Sequence, residues 1–382
     1  MCRAHERAAP RTPRCAALRP SGRACYVSEF VRRADMSLAD NSSVVSAHSG
    51  LIDAVQRMQA ADLVAIDKLF ASFDCRQLYL DVGTNIGVQI RKLFQPAHYT
   101  GQGAPPRLRE SSLRTRNYHQ KTFGTTEPHC DVCAIGFEPN PHHGEHLDEL
   151  EKRLRAAGVG VLIFRAAASD ADGIVDFALG NRRNKDRWED LGATASALWR
   201  GMAAAGNAKA VSVAVRSIDL ARIIHAVHSH LQRNHRLSKS RIESPRKIAM
   251  KLDVEGNEFQ ILPHLIRTQS LCKLDSVRIE WHERYWSHKV ATLAARAGRA
   301  TGDMVSTEEI GALALENWTR TESANLRRMF RTFGASSRDC KVKVHYSDDE
   351  SYIHDGKPWP NTTICARTNL SRLPAARLVA PI

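Results

Sequence analysis

In the stretch IAMKLDVEGNEFQIL, Ile248 to Leu262, the charges of Lys251, Asp253, Glu255 and Glu258 interrupt a run of aliphatic side chains. Burying charges without partners costs several kcal/mol, so these residues read as the mouth of a site where a buried strand ends. RIEWHE, beginning at Arg278, puts Glu280 and His282 at the end of a second apolar run, two apart and so on one face of a strand. Asp253, Glu255, Glu280 and His282 are the residue types of an acid–base cluster or of a divalent-metal site. The acid–base reading is taken for the site residues and no metal ligand is assigned, with assistance by a divalent metal left open.

LDVGTNIG, Leu80 to Gly87, has the form D-x-G-x-x-x-G. Asp81 ends a short strand, Gly83 allows a tight turn and close backbone approach to a ligand, and Gly87 lets the next helix pack near the sheet. The middle glycine of a dinucleotide loop is replaced by Asn85, which argues against a pyrophosphate loop and a nicotinamide-dependent oxidoreductase. The pattern suits the amino-acid end of S-adenosylmethionine, with a carboxylate for its ammonium and backbone N–H groups for its carboxylate. In IGFEPNP, Ile135 to Pro141, Glu138 closes the next strand and can accept both hydrogen bonds of a ribose diol, or can simply cap a helix. Asp170 in AAASDADG can meet an adenine amino group or serve only as a turn residue.

Strands alternating with helices over residues 76–285 predict a mainly parallel α/β sheet with helices on both faces. In such sheets ligands bind beyond the carboxyl ends of the strands. The helical spacing of Leu51 to Phe73 predicts one or two amphipathic helices, and VGVLIFRAAASD one strand. NEFQILPHLI reads as a helix broken at Pro263. Residues 306–333 read as helical, and the segment from Cys340 to Arg367 as a terminal antiparallel hairpin. Residues 95–129, 180–209 and 228–247, rich in turn-forming or basic residues, read as insertions or exposed connectors.

Taken in order, LDVGTNIG, GFEPNP, AAASDADG, SIDL, KLDVEGNE and IEWH make the sequence resemble the FkbM family of S-adenosylmethionine-dependent methyltransferases, over roughly residues 76–285. The resemblance implies a class I methyltransferase (Rossmann-like) fold with one antiparallel terminal strand. It also implies O-methylation of a hydroxyl on a small molecule or sugar. By position, Asp81, Gly83, Asn85 and Gly87 match the cofactor loop and Glu138 the ribose acid. Lys251, Asp253, Glu255 and Gly256 match the second signature, and Asp253 can also reach the cofactor. A hydroxyl acceptor gains from a base. His282, whose ordinary pKa lies near neutrality, or Asp253 is expected in that role, with Lys251 and Glu280 orienting it. Arg165 stands where the family often has Asn, which leaves the adenine side and the acceptor open.

The chain of 382 residues carries a net charge of +14 with a pI near 9.6, which suits an anionic partner or reflects arginine-rich loops. No N/D-P-P-Y/F motif of amino-methylating enzymes occurs, and aromatics are not interleaved with the basic residues, which weighs against nucleic acid. An RNA- or protein-directed methyltransferase and a non-catalytic scaffold remain the alternatives. No apolar run is long enough to span a membrane. The arginine-rich, acid-poor start reads as a transit-like or disordered extension over 1–35 and allows a cytoplasmic or organellar site. A helical segment over 36–75, a catalytic domain over 76–366 and a tail over 367–382 complete the expected organisation. Nine cysteines do not suggest a dense disulfide framework. Cys130 and Cys133, a lone C-x-x-C, read as two strand cysteines, not a zinc site, and Cys340 and Cys365 as a pair able to bridge in an oxidising compartment.

Overall fold

The computed structural model describes residues 41–101, 106–179, 211–237, 246–282, 340–346 and 362–365. In chain order, helix α1 (Asn41–Ser72) leads to strand β1 (Gln77–Val82) and helices α2 (Val88–Phe94), α3 (Pro96–Thr100) and α4 (Pro106–Phe123). Strand β2 (Val132–Phe137), helix α5 (Gly144–Ala156) and strands β3 (Val161–Phe164), β4 (Ala167–Ser169), β5 (Gly173–Leu179) and β6 (Val211–Asp219) follow. The remaining elements are helix α6 (Leu220–Leu237), strand β7 (Ile248–Leu252), helix α7 (Glu258–Arg267) and strands β8 (Ser276–Ile279) and β9 (Lys343–Tyr346). The chain divides into two compact units after Ala54. Of the first only the start of α1 is described; every strand belongs to the second.

Strands β1, β2, β7 and β8 are buried at every residue, as strands covered on both faces must be. They form a six-stranded sheet of order β3-β2-β1-β7-β8-β9 with every pairing parallel. Side chains alternate across β1: Leu78, Leu80 and Val82 join one core with Ile66, Leu69 and Phe70 of α1, while Tyr79 joins another with α2, α4 and α5. The chain grows outward from β1 to β3 on one side and from β7 to β9 on the other. The crevice between the carboxyl ends of β1 and β7 is therefore a topological switch point of a Rossmann-like fold. No helix among the described residues is long and apolar enough to cross a membrane.

Several local expectations are corrected. VGVLIFRAAASD forms two strands in different sheets, because β4 leaves the central sheet to pair with β6 in a three-stranded sheet of order β4-β6-β5. The terminal strand β9 runs parallel to β8, so the expected antiparallel terminal strand is absent there; the antiparallel pair is β5 with β6. Helix α7 continues through Pro263, and the connector at 228–247 begins as helix, with Leu231 buried. The insertion at 95–129 includes α4, whose Ser112, Thr115, Tyr118, His119 and Phe123 are buried at spacings of one helix face. It is a core element whose inward face is mostly polar or aromatic, so aliphatic periodicity does not reveal it. Residues 180–209 and 306–333 lie outside the described residues.

The six cysteines of the described residues are all paired, as Cys75–Cys133, Cys130–Cys365 and Cys272–Cys340. Cys130 precedes β2 and only Cys133 lies on it, so the C-x-x-C is split between two bridges. Cys340 and Cys365 each take a different partner from the one expected.

Candidate active site

The loop after β1 is shaped by its glycines. Gly83 takes φ +84°, and a Cβ there would overlap the carbonyl of Asp253 at the end of β7. The close approach that requires glycine is therefore between two strand ends. Gly87, also at φ +84°, lies against Leu150 of α5, so its missing side chain admits a neighbouring helix. The N–H groups of Gly83 and Thr84 donate to the Phe137 carbonyl, and Thr84 Oγ1 donates to the Asp81 carbonyl at 2.7 Å. These bonds lock the loop to the end of β2.

Asp81 is wholly buried, and neither of its carboxylate oxygens has a hydrogen-bond partner among the described residues. Burial pushes its carboxyl up to about 7, against the pull of Lys251. A buried acid left without a donor is costly in a native protein and calls for an explanation. Glu138, at the end of β2, is also buried; it accepts from the Asn85 N–H at 2.7 Å through one oxygen and from the Asn140 N–H at 2.8 Å through the other. Burial raises it to about 7 despite these two bonds. Asn85 holds φ +51°, and that strained geometry aims its N–H at Glu138.

Asp81, Lys251 and Arg278 sit in register on β1, β7 and β8, so their side chains share one face of the sheet. Lys251 Nζ donates to Asp253 Oδ2 at 2.6 Å and to the Gly83 carbonyl at 3.3 Å. Burial alone would pull the lysine down, but Asp253, Asp81 and Glu280 hold it well above its ordinary range. Arg278 donates to Thr115 Oγ1 of α4, and Tyr118 of the same helix donates to Ser276. The segment that reads in the sequence as an insertion therefore supplies α4, which fixes the basic residue beside Lys251.

Past the strand ends, His282 is ringed by acids. Its Nδ1 donates to Glu258 Oε1 at 2.9 Å. Its Nε2 stands 3.7 Å from Asp253 Oδ1, 3.6 Å from Glu255 Oε2 and 3.6 Å from Glu280 Oε1. Burial would depress the imidazole, but the bond to Glu258 and the surrounding carboxylates push it up to about 11. The surrounding carboxylates thus favour the charged form of the ring. Glu255, at φ +52°, is itself pushed up to about 7, chiefly by burial.

Lys251, Asp253, Glu255, Glu280 and His282 are thus brought together, and Glu258 joins them. Sequence reasoning gave Glu258 no role. It is fully buried in the first turn of α7 and accepts from the Val254 and Gly256 N–H groups. Its place at a helix start, where acids are favoured, was the available signal. Asp170 behaves differently: it is exposed and accepts from the adjacent Ser169 hydroxyl at 3.1 Å, as a turn residue does.

The fold and these residues define a Rossmann-like α/β protein with an acid-rich cleft at its switch point. Comparison with family models, curated proteins and solved structures finds no match to the chain.

Proposed function

We propose that the protein is an S-adenosylmethionine-dependent methyltransferase that O-methylates a hydroxyl of a small molecule or sugar. The observation that carries this reading is Asp81, a buried carboxylate without a hydrogen-bond donor at the switch point, with Glu138 at the neighbouring strand end. The residues suit the cofactor: Asp81 would take its ammonium, loop N–H groups its carboxylate, and the remaining acceptor capacity of Glu138 its ribose diol. When bound, S-adenosylmethionine supplies a methyl group activated by a sulfonium, and the task left to the chain is alignment.

The acceptor side is the carboxylate cluster. In this reading Asp253 or Glu280 would take the hydroxyl proton; Lys251 bonds Asp253, and Glu258 bonds His282 within the ring of acids. The paired cysteines favour an oxidising compartment for the folded chain, since such bonds are rare where thiols are kept reduced.

Calorimetric titration with S-adenosylmethionine and S-adenosylhomocysteine tests the reading. Binding is expected in the parent chain and to weaken at least ~30-fold in Asp81→Ala and in Glu138→Ala, the loss of a charge-assisted contact. A folded protein that binds neither compound would overturn the methyltransferase reading in favour of a scaffold. A folded protein that binds both, with a steep salt dependence of RNA association, would redirect the acceptor to nucleic acid.

A further inference from the structure

We propose that Asp253, Glu255 and His282 form a binding site for a divalent cation, with His282 Nε2 and one oxygen of each acid as ligands and Glu258 as the group that orients the ring. One donor atom from each of the three lies within 4.8 Å of the others. The separations from Nε2, 3.6 to 3.7 Å, are too long for hydrogen bonds. An ion ~2.1 Å from each donor holds ligand atoms ~3.0–3.5 Å apart, so the two edges at Nε2 need only a small contraction. The ion takes the place of the Nε2 proton that the surrounding acids favour, which makes binding stronger as pH rises.

Three further features distinguish the site from a cluster of surface acids. First, the histidine is built as a metal ligand commonly is. Its Nδ1–H is held by a fully buried carboxylate, itself fixed by two backbone N–H groups, and this leaves Nε2 directed at the acids. Second, four carboxylates, those of Asp253, Glu255, Glu258 and Glu280, converge on the one imidazole of His282. Third, Asp81, wholly buried and without a hydrogen-bond partner among the described residues, lies in register beside Lys251 on the same sheet face.

One nitrogen with carboxylate oxygens suits Mn²⁺ or Zn²⁺ better than Ca²⁺ or Mg²⁺, whose sites are built from oxygen alone. In the methyltransferase reading such an ion would meet the acceptor hydroxyl and lower its pKa, as bound metals do for water. The binding claim itself does not depend on that reading.

The test is Mn²⁺ binding to the full chain after chelator treatment, followed by the loss of the free-ion electron paramagnetic resonance signal. One site per chain is expected. Glu255→Gln and His282→Gln should each weaken it at least ~10-fold, and Glu258→Gln, which keeps every ligand, by ~10–100-fold. Circular dichroism establishes that each variant is folded. Folded parent protein that binds none of Mn²⁺, Zn²⁺, Mg²⁺ or Ca²⁺ overturns the proposal, as does Mn²⁺ binding that the Glu255→Gln and His282→Gln variants leave unchanged. S-adenosylmethionine titration in excess chelator is read separately, so failure of the metal site and failure of the cofactor assignment remain distinguishable.

Discussion

The two ends of the central sheet hold together by different chemistry. Toward the amino end lie the disulfides: Cys75, ahead of β1, is joined to Cys133 near the start of β2, and Cys130, ahead of β2, to Cys365. Cys272, ahead of β8, is joined to Cys340, ahead of β9. At the carboxyl end, Asp81, Glu138, Asp253, Glu255, Glu280 and His282 gather without a covalent tie among the described residues. Charge beside α1 is balanced. Asp62, almost fully buried, accepts from both Arg216 and Arg222, and Asp172 accepts from Arg222 as well. Two acids there meet two guanidinium groups, whereas four carboxylates at the carboxyl end crowd around the single imidazole of His282. Cross-links and matched ion pairs thus gather away from the carboxyl strand ends, and in the proposed reading the buried groups at those ends are costly until a ligand arrives.

The largest expected effect breaks the amino end. Replacing Cys272 and Cys340 together by Ala should lower unfolding stability by about 2–4 kcal/mol, the usual contribution of a disulfide. Urea titration measures it as a lower midpoint, with a slope that rises as the released unfolded chain exposes more surface. The dissociation constant for S-adenosylmethionine should stay within about twofold, because the bridge is remote from the switch point. A large loss of affinity in the folded variant would mean that the two ends are not separate.

A change at the carboxyl end should act with the opposite sign. Asp81 has its pKa raised on folding to about 7. A raised acid contributes stability that is fully present below its unfolded pKa and is lost as pH rises through the folded value. At pH ~8 the ligand-free protein therefore bears the cost of an ionised, buried carboxylate, and Asp81→Asn should raise stability by about 1–3 kcal/mol. The same substitution should weaken the cofactor. A midpoint that falls at pH ~8 would show that Asp81 is a structural acid, paired in a way the comparison of the two ends does not allow.

Much of the carboxyl end was legible because strand ends and charges coincide in the sequence. LDVG, FEPN, KLDVEG and IEWH each end an apolar run on an acid, and the parallel topology brings those ends together. The full ring of acids around His282 was not legible. The histidine's spacing predicts proximity to Glu280, but Glu258 reaches it from a helix start 24 residues away. The structural role of α4 was hidden because Thr115 and Tyr118 secure Arg278 and Ser276 through hydrogen bonds, which leave no hydrophobic period. The disulfides were missed because cysteines up to 235 residues apart declare no partner by spacing. In the same way, the break between β3 and β4 reflects a choice of neighbours, and one apolar run carries no sign of that choice.

The smallest expected effect is a pH slope that separates binding charge from structural charge within the cleft. Both Asp81 and Glu138 have carboxyls pushed up to about 7 by burial, and each serves the cofactor best when ionised. At pH ~6 only about a tenth of a group with that pKa is deprotonated. Affinity for S-adenosylmethionine should therefore rise by about fivefold between pH ~6 and ~7 for each of the two groups that must ionise, while the ligand's own α-amino group stays mostly charged. Asp81→Asn cannot ionise at that position, so its weaker binding should vary less across the same interval, with Glu138 supplying what slope is left. Calorimetry at the two pH values for both proteins gives the result directly. Equal slopes in parent and variant would remove Asp81 from the ammonium contact and leave Glu138 as the titrating group; no slope in either would mean that the cofactor meets neither carboxylate in a state that titrates near 7.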